Sequence, residues 1–243
     1  MTPYADEGGL FPLSGDATAA LPFETAELRS LLEAFLNRQV EDPLTGATIR
    51  LGNFQRGVYS FYDYDNEPIY VGQTKEKLRT RIRRHLTNQR TDAVAMNVLD
   101  PFEVYKIVVY PLSLPADVAA NPGMAKELLD ALEHKIYCQA VANSKFGAVL
   151  NEKKPPQPQV EIEIPPAYEG VIVSDSVRKI RAHPDVRIAR RTQTISRLAQ
   201  VISERKVPKG LREVLLVQAK RLQWLAQRRL DNSADTPDTE LDD

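Results

Sequence analysis

The stretch GVYSFYDYDNEPIYVGQT, residues 57–74, decides the fold. Two short runs of β-branched and aromatic residues flank a polar turn at 63–68, and this arrangement is typical of two antiparallel strands joined as a hairpin. Each run carries a tripeptide that joins a tyrosine to a glycine, Gly57-Val58-Tyr59 in the first and Tyr70-Val71-Gly72 in the second. Taken singly, tyrosines in hairpins are usually packing residues, so their meaning depends on the elements around them.

Helices and one further strand are predicted on both sides of this hairpin. Apolar residues at helical spacing predict a helix at 24–38, followed by a loop. After the hairpin, Thr74 can cap a helix that runs to about Thr87. A strand rich in β-branched and aromatic residues follows at 102–112, and then a helix at 124–141.

The C-terminal third begins with a segment, residues 153–168, that contains five prolines and no glycine and is therefore extended and stiff. Two helices are predicted beyond it, at 187–204 and 211–229, broken at Pro208-Lys209-Gly210. The predicted divisions are a mobile N-terminus (1–22), a helix-and-loop extension (23–55), a domain built on the hairpin (56–152), a Pro-rich linker (153–168), a basic helical region (169–230) and an acidic disordered tail (231–243).

Composition excludes several classes of protein. No apolar run is long enough to span a bilayer, and the start of the chain lacks a secretory signal pattern, so a cytoplasmic protein with no membrane partner is expected. The single cysteine, Cys138, excludes an internal disulfide and a zinc site built on several thiolates.

Charge is unevenly distributed along a chain whose net charge is −1. Residues 75–90 contain seven basic side chains against one acidic side chain, Glu76, and basic residues again dominate 178–229. Two basic zones in a nearly neutral chain suggest a polyanionic partner such as nucleic acid, although solvated helix faces explain the charge equally well.

The order of elements, together with residues placed on them, resembles the GIY-YIG nuclease family over about residues 56–152. The arginine that the family carries on the helix after the hairpin is matched by Arg81, although Arg79 competes by spacing. His85, one turn later, matches a histidine of some members, notably restriction enzymes. The remaining matches are the two tripeptides, with valine in place of the central isoleucine, the metal-binding glutamate as Glu133 in ALEHKIY, and the closing asparagine as Asn151 in AVLNEK.

The resemblance implies an α+β fold: a small GIY-YIG-type core with a three-stranded antiparallel sheet flanked by helices, to which this chain adds an N-terminal helix and a basic helical C-terminal region. It also implies hydrolysis of phosphodiester bonds. That reaction needs an activated water, neutralisation of the developing negative charge and help for the leaving oxygen.

The resemblance also implies the role of each site residue. Glu133 would hold Mg²⁺ or Mn²⁺, because Mg²⁺ binds few carboxylates and keeps much of its water shell. Arg81 would contact the scissile phosphate, and His85, four residues on, lies on the same side of the helix. Tyr59 would hold or deprotonate the attacking water. Tyr70 would orient water or phosphate, and Asn151 would hold Glu133 or a loop in place.

Basic side chains outside the motifs are candidate contacts with nucleic acid. Lys75 and Arg84 are two such candidates. Gln73 and Lys75 follow the second tripeptide and can approach phosphate, although exposed polarity explains them equally well. The alternative to DNA binding by the C-terminal region is a helical hairpin or a dimer-forming coil whose basic faces are solvated. The two interpretations are compatible. The basic residues of this region that could lie along a DNA backbone are Arg187, Arg190, Arg191, Arg197, Arg205, Lys206, Lys209 and Arg212.

Four functions follow from these patterns. The first is a metal-dependent DNA endonuclease of restriction or defence type. Because one site cuts one strand, such an enzyme could act as a homodimer. The second is a structure-selective repair nuclease or a mobile-element endonuclease. The third is a nucleic-acid-binding protein with an inactive nuclease core, and the fourth is an interaction module with the acidic tail as its handle. Cleavage separates the first two from the last two.

Overall fold

The computed structural model describes residues 23–86 and 98–234 of the chain. The predicted mobile N-terminus, the predicted helix end at Thr87 and all but the start of the predicted acidic tail lie outside the described residues.

A short hairpin precedes the hairpin of residues 57–74. Strand β1, Gln39–Glu41, pairs antiparallel with β2, Thr48–Arg50, in a separate two-stranded sheet. The loop predicted over this part of the chain is therefore wrong at Thr48–Arg50. Three-residue strands are too short to show a periodic pattern, and Gly46, with φ of 69°, provides the left-handed residue of the connecting turn.

The main sheet has four antiparallel strands. They are β3 (Gly57–Tyr62), β4 (Pro68–Thr74), β5 (Lys106–Pro111) and β6 (Tyr168–Val171), in the spatial order β4-β3-β5-β6. The predicted hairpin is confirmed as β3 and β4, whereas the predicted three-stranded sheet gains β6 at its far edge. This strand comes directly after the Pro-rich segment, whose composition hides it.

Seven helices surround the sheet in the described part of the chain. Helix α2 begins at Leu78 and not directly after Thr74, because the Thr74 hydroxyl accepts a hydrogen bond from Glu76 N–H in the intervening turn. The helices are α1 (Phe23–Leu36), α2 (Leu78–Leu86), α3 (Ala116–Ala120), α4 (Pro122–Asn143), α5 (Asp175–Arg181), α6 (Pro184–Glu204) and α7 (Lys209–Ala234).

Each face of the hairpin packs into a different hydrophobic cluster. Val58 and Val71 pack with the apolar side of α4, which includes Leu129 and Leu132. Tyr59 and the other side of the hairpin pack with residues of α1, α2, α6 and α7. Residues on both sides of the Pro-rich segment thus share one core, and the domain division at 153–168 stays a prediction.

Buried carboxylates in the β3–β4 turn join the hairpin to three helices. Asp63 Oδ2 accepts hydrogen bonds from Arg187, Arg191 and Arg221 at 3.1, 3.0 and 2.6 Å, so the turn is fixed to α6 and α7. Glu67 accepts hydrogen bonds from Ser144 and from the Lys145 N–H at the end of α4. The hairpin and α4, which carry the predicted site residues, are thereby held in a fixed relation.

Candidate active site

The two tyrosines of the tripeptides meet on one side of the hairpin because of its register. Tyr59 lies opposite Gly72, and Tyr70 lies opposite Phe61. A side chain at Gly72 would place its Cβ 2.8 Å from the Tyr59 hydroxyl, a distance that real contacts do not tolerate. Glycine at this position therefore leaves the space that the Tyr59 hydroxyl occupies.

Helix α2 places His85 against this tyrosine pair. The Tyr59 hydroxyl lies 3.4 Å from both ring nitrogens of His85, and the Tyr70 and His85 ring centroids are 5.3 Å apart. Tyr59 is 0% exposed and His85 is also buried. The hydroxyl of Tyr59 is therefore in position to exchange a proton with the imidazole, away from bulk water.

A cleft of about 420 Å³ opens beside this pair at the β4 edge of the sheet. Tyr70, Arg81, Glu133 and Asn151 line it together with Val98 and the segment 152–156. Four of the six predicted catalytic residues thus face one cavity. Tyr59 and His85 do not line it and stand behind Tyr70, whose ring centroid is 6.4 Å from that of Tyr59.

The competition between two arginines of α2 is resolved by their surroundings. Arg79 donates to Asn37 Oδ1 at 2.9 Å and lies 3.8 Å from Glu33, so it faces α1. Arg81 lines the cleft and lowers the pKa of Glu133 through its charge. The structure therefore places Arg81, and not Arg79, beside the predicted metal ligand.

Glu133 is a half-buried carboxylate with an unusual protonation equilibrium. Burial and the neighbouring charge of Asp130 raise its pKa to about 7, against the lowering effects of hydrogen bonds from Gln73 and of the charge of Arg81. Gln73 Nε2 also donates to Asp130 Oδ1 at 2.7 Å. A carboxylate destabilised by burial and a like charge gains most from a cation bound next to it.

Asn151 fastens the outer edge of β4. Its Nδ2 donates to the Val71 carbonyl at 2.7 Å, and its Oδ1 accepts from the Val71 N–H at 3.0 Å. Leu150 N–H donates to the Ile69 carbonyl at 2.8 Å. Asn151 therefore holds the strand between Tyr70 and Gly72, whereas the sequence predicted that it would hold Glu133 or a loop.

Comparison with protein families matches residues 55–128, less than a third of the chain, to the model described as the GIY-YIG catalytic domain. Residues 55–128 are therefore similar to a GIY-YIG catalytic domain. GIY-YIG domains are nucleases, which hydrolyse phosphodiester bonds, and they generally use divalent metal ions. The matched range includes the four predicted residues from Tyr59 to His85 and ends before Glu133 and Asn151.

No significant match to a curated protein or to a solved structure was found. Among the described helices, none is both long enough and apolar enough to cross a membrane.

The donor groups around Glu133 fit a hard divalent cation. Glu133 provides a carboxylate, and next to it Gln73 Oε1 is a buried oxygen without a hydrogen-bond partner among the described residues. Oxygen donors of this kind suit Mg²⁺ or Mn²⁺. The described residues contain no cluster of three or more His, Cys, Asp or Glu side chains, so protein groups there would provide only part of a coordination shell.

The predicted nucleic-acid contacts differ in their exposure. Lys75 is exposed, and Arg84 forms an ion pair with Glu76. Arg190 donates two hydrogen bonds to Asp100, at 2.8 and 2.9 Å.

Two further predicted contacts lie in the interior. Arg187 and Arg191 are each 3% exposed, and both donate to Asp63. Arg191 also donates to Glu103 at 2.7 Å. The structure does not support DNA contact for these two arginines, because buried guanidinium groups already bound to carboxylates are not available to phosphate.

Three residues of the site region were missed or underestimated in the sequence. Gln73 connects Asp130 and Glu133, although it read only as an exposed polar residue or a phosphate contact. Asp130 lies three residues before Glu133, and this helical spacing was the available signal. Asp63 gave no signal, because its partners lie more than a hundred residues away.

The raised pKa of Glu133 predicts a pH-dependent stability in the metal-free protein. The folded state binds the proton more tightly than the unfolded state, whose pKa is near 4.5. The stability that this tighter proton binding contributes is fully present at pH values below the unfolded pKa, and it is lost as pH rises through about 7. Urea unfolding in EDTA should therefore show Glu133→Gln gaining stability relative to wild type between pH 5 and pH 8 (about the two ends of this titration).

If the difference in unfolding free energy between Glu133→Gln and wild type were the same at both ends of this pH range, the raised pKa of Glu133 would be contradicted. The matched control is Glu127→Gln on the same helix, whose exposed side chain corrects for the general effect of removing one negative charge.

Asn151→Ala should lower both stability and activity. The change leaves the N–H and carbonyl of Val71 without their partners, which costs about 1–3 kcal/mol in the free energy of unfolding. Urea unfolding and cleavage rates measure both effects. Asn143→Ala, at an exposed position, is the control, and equal behaviour of the two variants would exclude the role assigned to Asn151.

Proposed function

We propose that this protein is a metal-dependent DNA endonuclease of restriction or defence type. The observation that carries the proposal is the cleft in which Tyr70, Arg81, Glu133 and Asn151 converge from β4, α2, α4 and the segment after it. Residues from four separate parts of the sequence, with the chemistry that phosphodiester hydrolysis needs, share one cavity.

Arg81 is the residue proposed to bind the scissile phosphate. Arg81 lines the cleft, so the positive charge of its guanidinium group can offset the negative charge that develops during hydrolysis. Tyr70 also lines the cleft, and its hydroxyl can donate a hydrogen bond to a phosphate oxygen or accept one from water.

Tyr59 and His85 are proposed as the proton-transfer pair. An ordinary phenol, with a pKa near 10, is a poor base at neutral pH, and the imidazole 3.4 Å from the Tyr59 hydroxyl can take up its proton. Because Tyr59 is fully buried, a movement of neighbouring side chains on substrate binding would have to open a path for the attacking water.

Glu133 is the residue proposed to hold Mg²⁺ or Mn²⁺, with Gln73 Oε1 as a second oxygen nearby. A bound divalent cation would stabilise negative charge on the phosphate and on the leaving oxygen. Glu133 must give up its proton to bind the cation. Asn151 holds β4, the strand that carries Tyr70, in place.

The restriction or defence role rests on the pairing of Arg81 with His85 and on the size of the chain. It is an analogy with part of the family and not a consequence of geometry. Cleavage of both strands would need two sites, so a homodimer is part of the proposal. A cytoplasmic location is proposed as well. A methyltransferase gene adjacent to the gene for this chain would favour restriction.

A panel of substrates tests the proposal. Wild-type protein is incubated with supercoiled plasmid, a short single-stranded DNA and a short RNA, each with Mg²⁺, Mn²⁺ or EDTA. Metal-dependent cutting of the plasmid into discrete fragments is expected. A smear of products would replace the restriction role by structure-selective or nonspecific cleavage, cutting of RNA alone would overturn the DNA substrate, and binding without cutting would favour an inactive core.

A further inference from the structure

The start of α7 lies directly on the chain that leaves the cleft. A Cβ at Gly210 would be 1.8 Å from the Glu152 carbonyl oxygen, so the backbone around Gly210 packs against the residue that follows Asn151. Only glycine permits this approach. The turn between α6 and α7 is therefore positioned next to the catalytic cavity, although it is separated from Asn151 by more than fifty residues in sequence.

Exposed lysines lie on both sides of this contact. Lys153 and Lys154 line the cleft, and the side chain of Lys154 is 71% exposed. Lys209, the first residue of α7, is 89% exposed. The ammonium groups of Lys154 and Lys209 both lie near the carboxylate of Glu213, at 3.9 and 3.4 Å, so they belong to one surface.

More basic side chains extend this surface along the turn. Arg205, Lys206 and Arg212 are all exposed and lie within four residues of Lys209 in sequence. We call the six side chains the basic ridge: Lys153, Lys154, Arg205, Lys206, Lys209 and Arg212. Lysine and arginine next to a cavity for phosphodiester hydrolysis form the kind of surface that binds a phosphate backbone.

We propose that the basic ridge binds the phosphate backbone of duplex DNA beside the scissile phosphate. The inference rests on the proposed function and assigns the substrate path that leaves the cleft past Pro155 and Pro156. Four members of the ridge are among the residues that the sequence predicted to lie along a DNA backbone: Arg205, Lys206, Lys209 and Arg212. Arg187 and Arg191, which were predicted with them, are buried.

Glu213 is an acidic residue within the proposed contact, next to Lys154 and Lys209. Exposed ion pairs such as those of Glu213 with Lys154 and Lys209 contribute little to stability, so phosphate groups can replace the carboxylate at low cost. The carboxylate also repels a phosphate backbone laid over it. Glu213 therefore weakens DNA binding, and its removal is expected to strengthen it.

Fluorescence anisotropy with a labelled 30-bp duplex, a length chosen at roughly three helical turns, tests the ridge over a range of salt concentrations. All proteins carry Glu133→Gln to prevent cleavage. The double variant Lys154→Gln/Lys209→Gln should bind about tenfold more weakly, with a slope of log K against log salt reduced by about 1.8. Glu213→Gln should bind about twofold to threefold more tightly.

Lys179→Gln is the matched control. Lys179 is exposed on α5, which follows β6 at the opposite edge of the sheet from β4, so the loss of one positive charge there should leave binding unchanged. A double variant that binds like the control, or a Glu213→Gln variant that binds more weakly than its parent, would overturn the inference.

Cleavage by the wild-type protein separates this inference from the proposed function. Metal-dependent cutting combined with ridge variants that bind unchanged would refute the ridge and leave the nuclease intact. Ridge-dependent binding without cutting under any metal would refute the nuclease and keep the ridge.

Discussion

Glu133→Gln should lower the single-turnover rate of metal-dependent cleavage by about 10³-fold. The amide keeps the size of the carboxylate and one acceptor oxygen, and it removes the negative charge that would hold the cation. Arg81 and Tyr70 would still line the cleft, so substrate binding should change far less than the rate. A rapid-quench assay with excess enzyme and a labelled duplex measures the chemical step directly.

Glu127→Gln is the matched control for this change. It removes the same charge from the same helix at an exposed position, and its rate should equal that of wild type. If both variants lose activity equally, the effect comes from the helix or from overall charge, and the assignment of Glu133 as the metal ligand is wrong. Loss of metal binding by Glu133→Gln alone, measured by calorimetry, would support the assignment independently.

Asp63→Asn should lower the free energy of unfolding by about 3–5 kcal/mol. Asp63 is 1% exposed, and one of its oxygens accepts hydrogen bonds from the guanidinium groups of Arg187, Arg191 and Arg221. The amide would leave three buried positive charges with too few negative partners. Replacing such a cluster by apolar residues could be harmless, but removing one member is costly because charge remains without compensation.

Asp185→Asn provides the control for Asp63→Asn. Asp185 accepts hydrogen bonds from Arg229 at the surface, where water screens the pair, so its loss should leave the urea midpoint close to that of wild type. Similar midpoints for Asp63→Asn and wild type would show that the arginines redistribute onto Glu103 and Asp65, and that Asp63 is not the joint between the hairpin and α6–α7.

The hairpin and the helices that flank it could be predicted because their signals are local. Period-two alternation and a polar turn specify β3 and β4, and apolar residues at helical spacing specify α4. The four-residue spacing of Arg81 and His85 placed both on one side of α2, and the structure puts them next to Tyr70. Helix periodicity contains this information without any tertiary contact.

Other features depend on contacts between distant parts of the chain. Strand β6 exists because β5 offers a free edge, and its four residues show no pattern of their own. The arginines of α6 had the pattern of a wet basic helix, yet Asp63 and Glu103 bury two of them. The position of the turn at Gly210 beside Glu152 also follows only from packing. Charge patterns along a sequence do not reveal which charges are neutralised inside.

The burial of Tyr59 refines the chemistry expected from the tripeptides. Its hydroxyl contacts His85 and does not line the cleft, whereas Tyr70 does. Gly72 creates the space for that buried hydroxyl. The first tripeptide therefore provides Tyr59, which does not line the cleft. The second provides Tyr70, which lines it, and Gly72, which leaves the space for the Tyr59 hydroxyl.

Cleavage of supercoiled plasmid in Mg²⁺, by wild type and by Glu133→Gln purified side by side, tests the central claim most directly. The account predicts nicked and linear products for wild type, none in EDTA and none for the variant. Intact plasmid with wild type in both Mg²⁺ and Mn²⁺, or equal cutting by the two proteins, would contradict it.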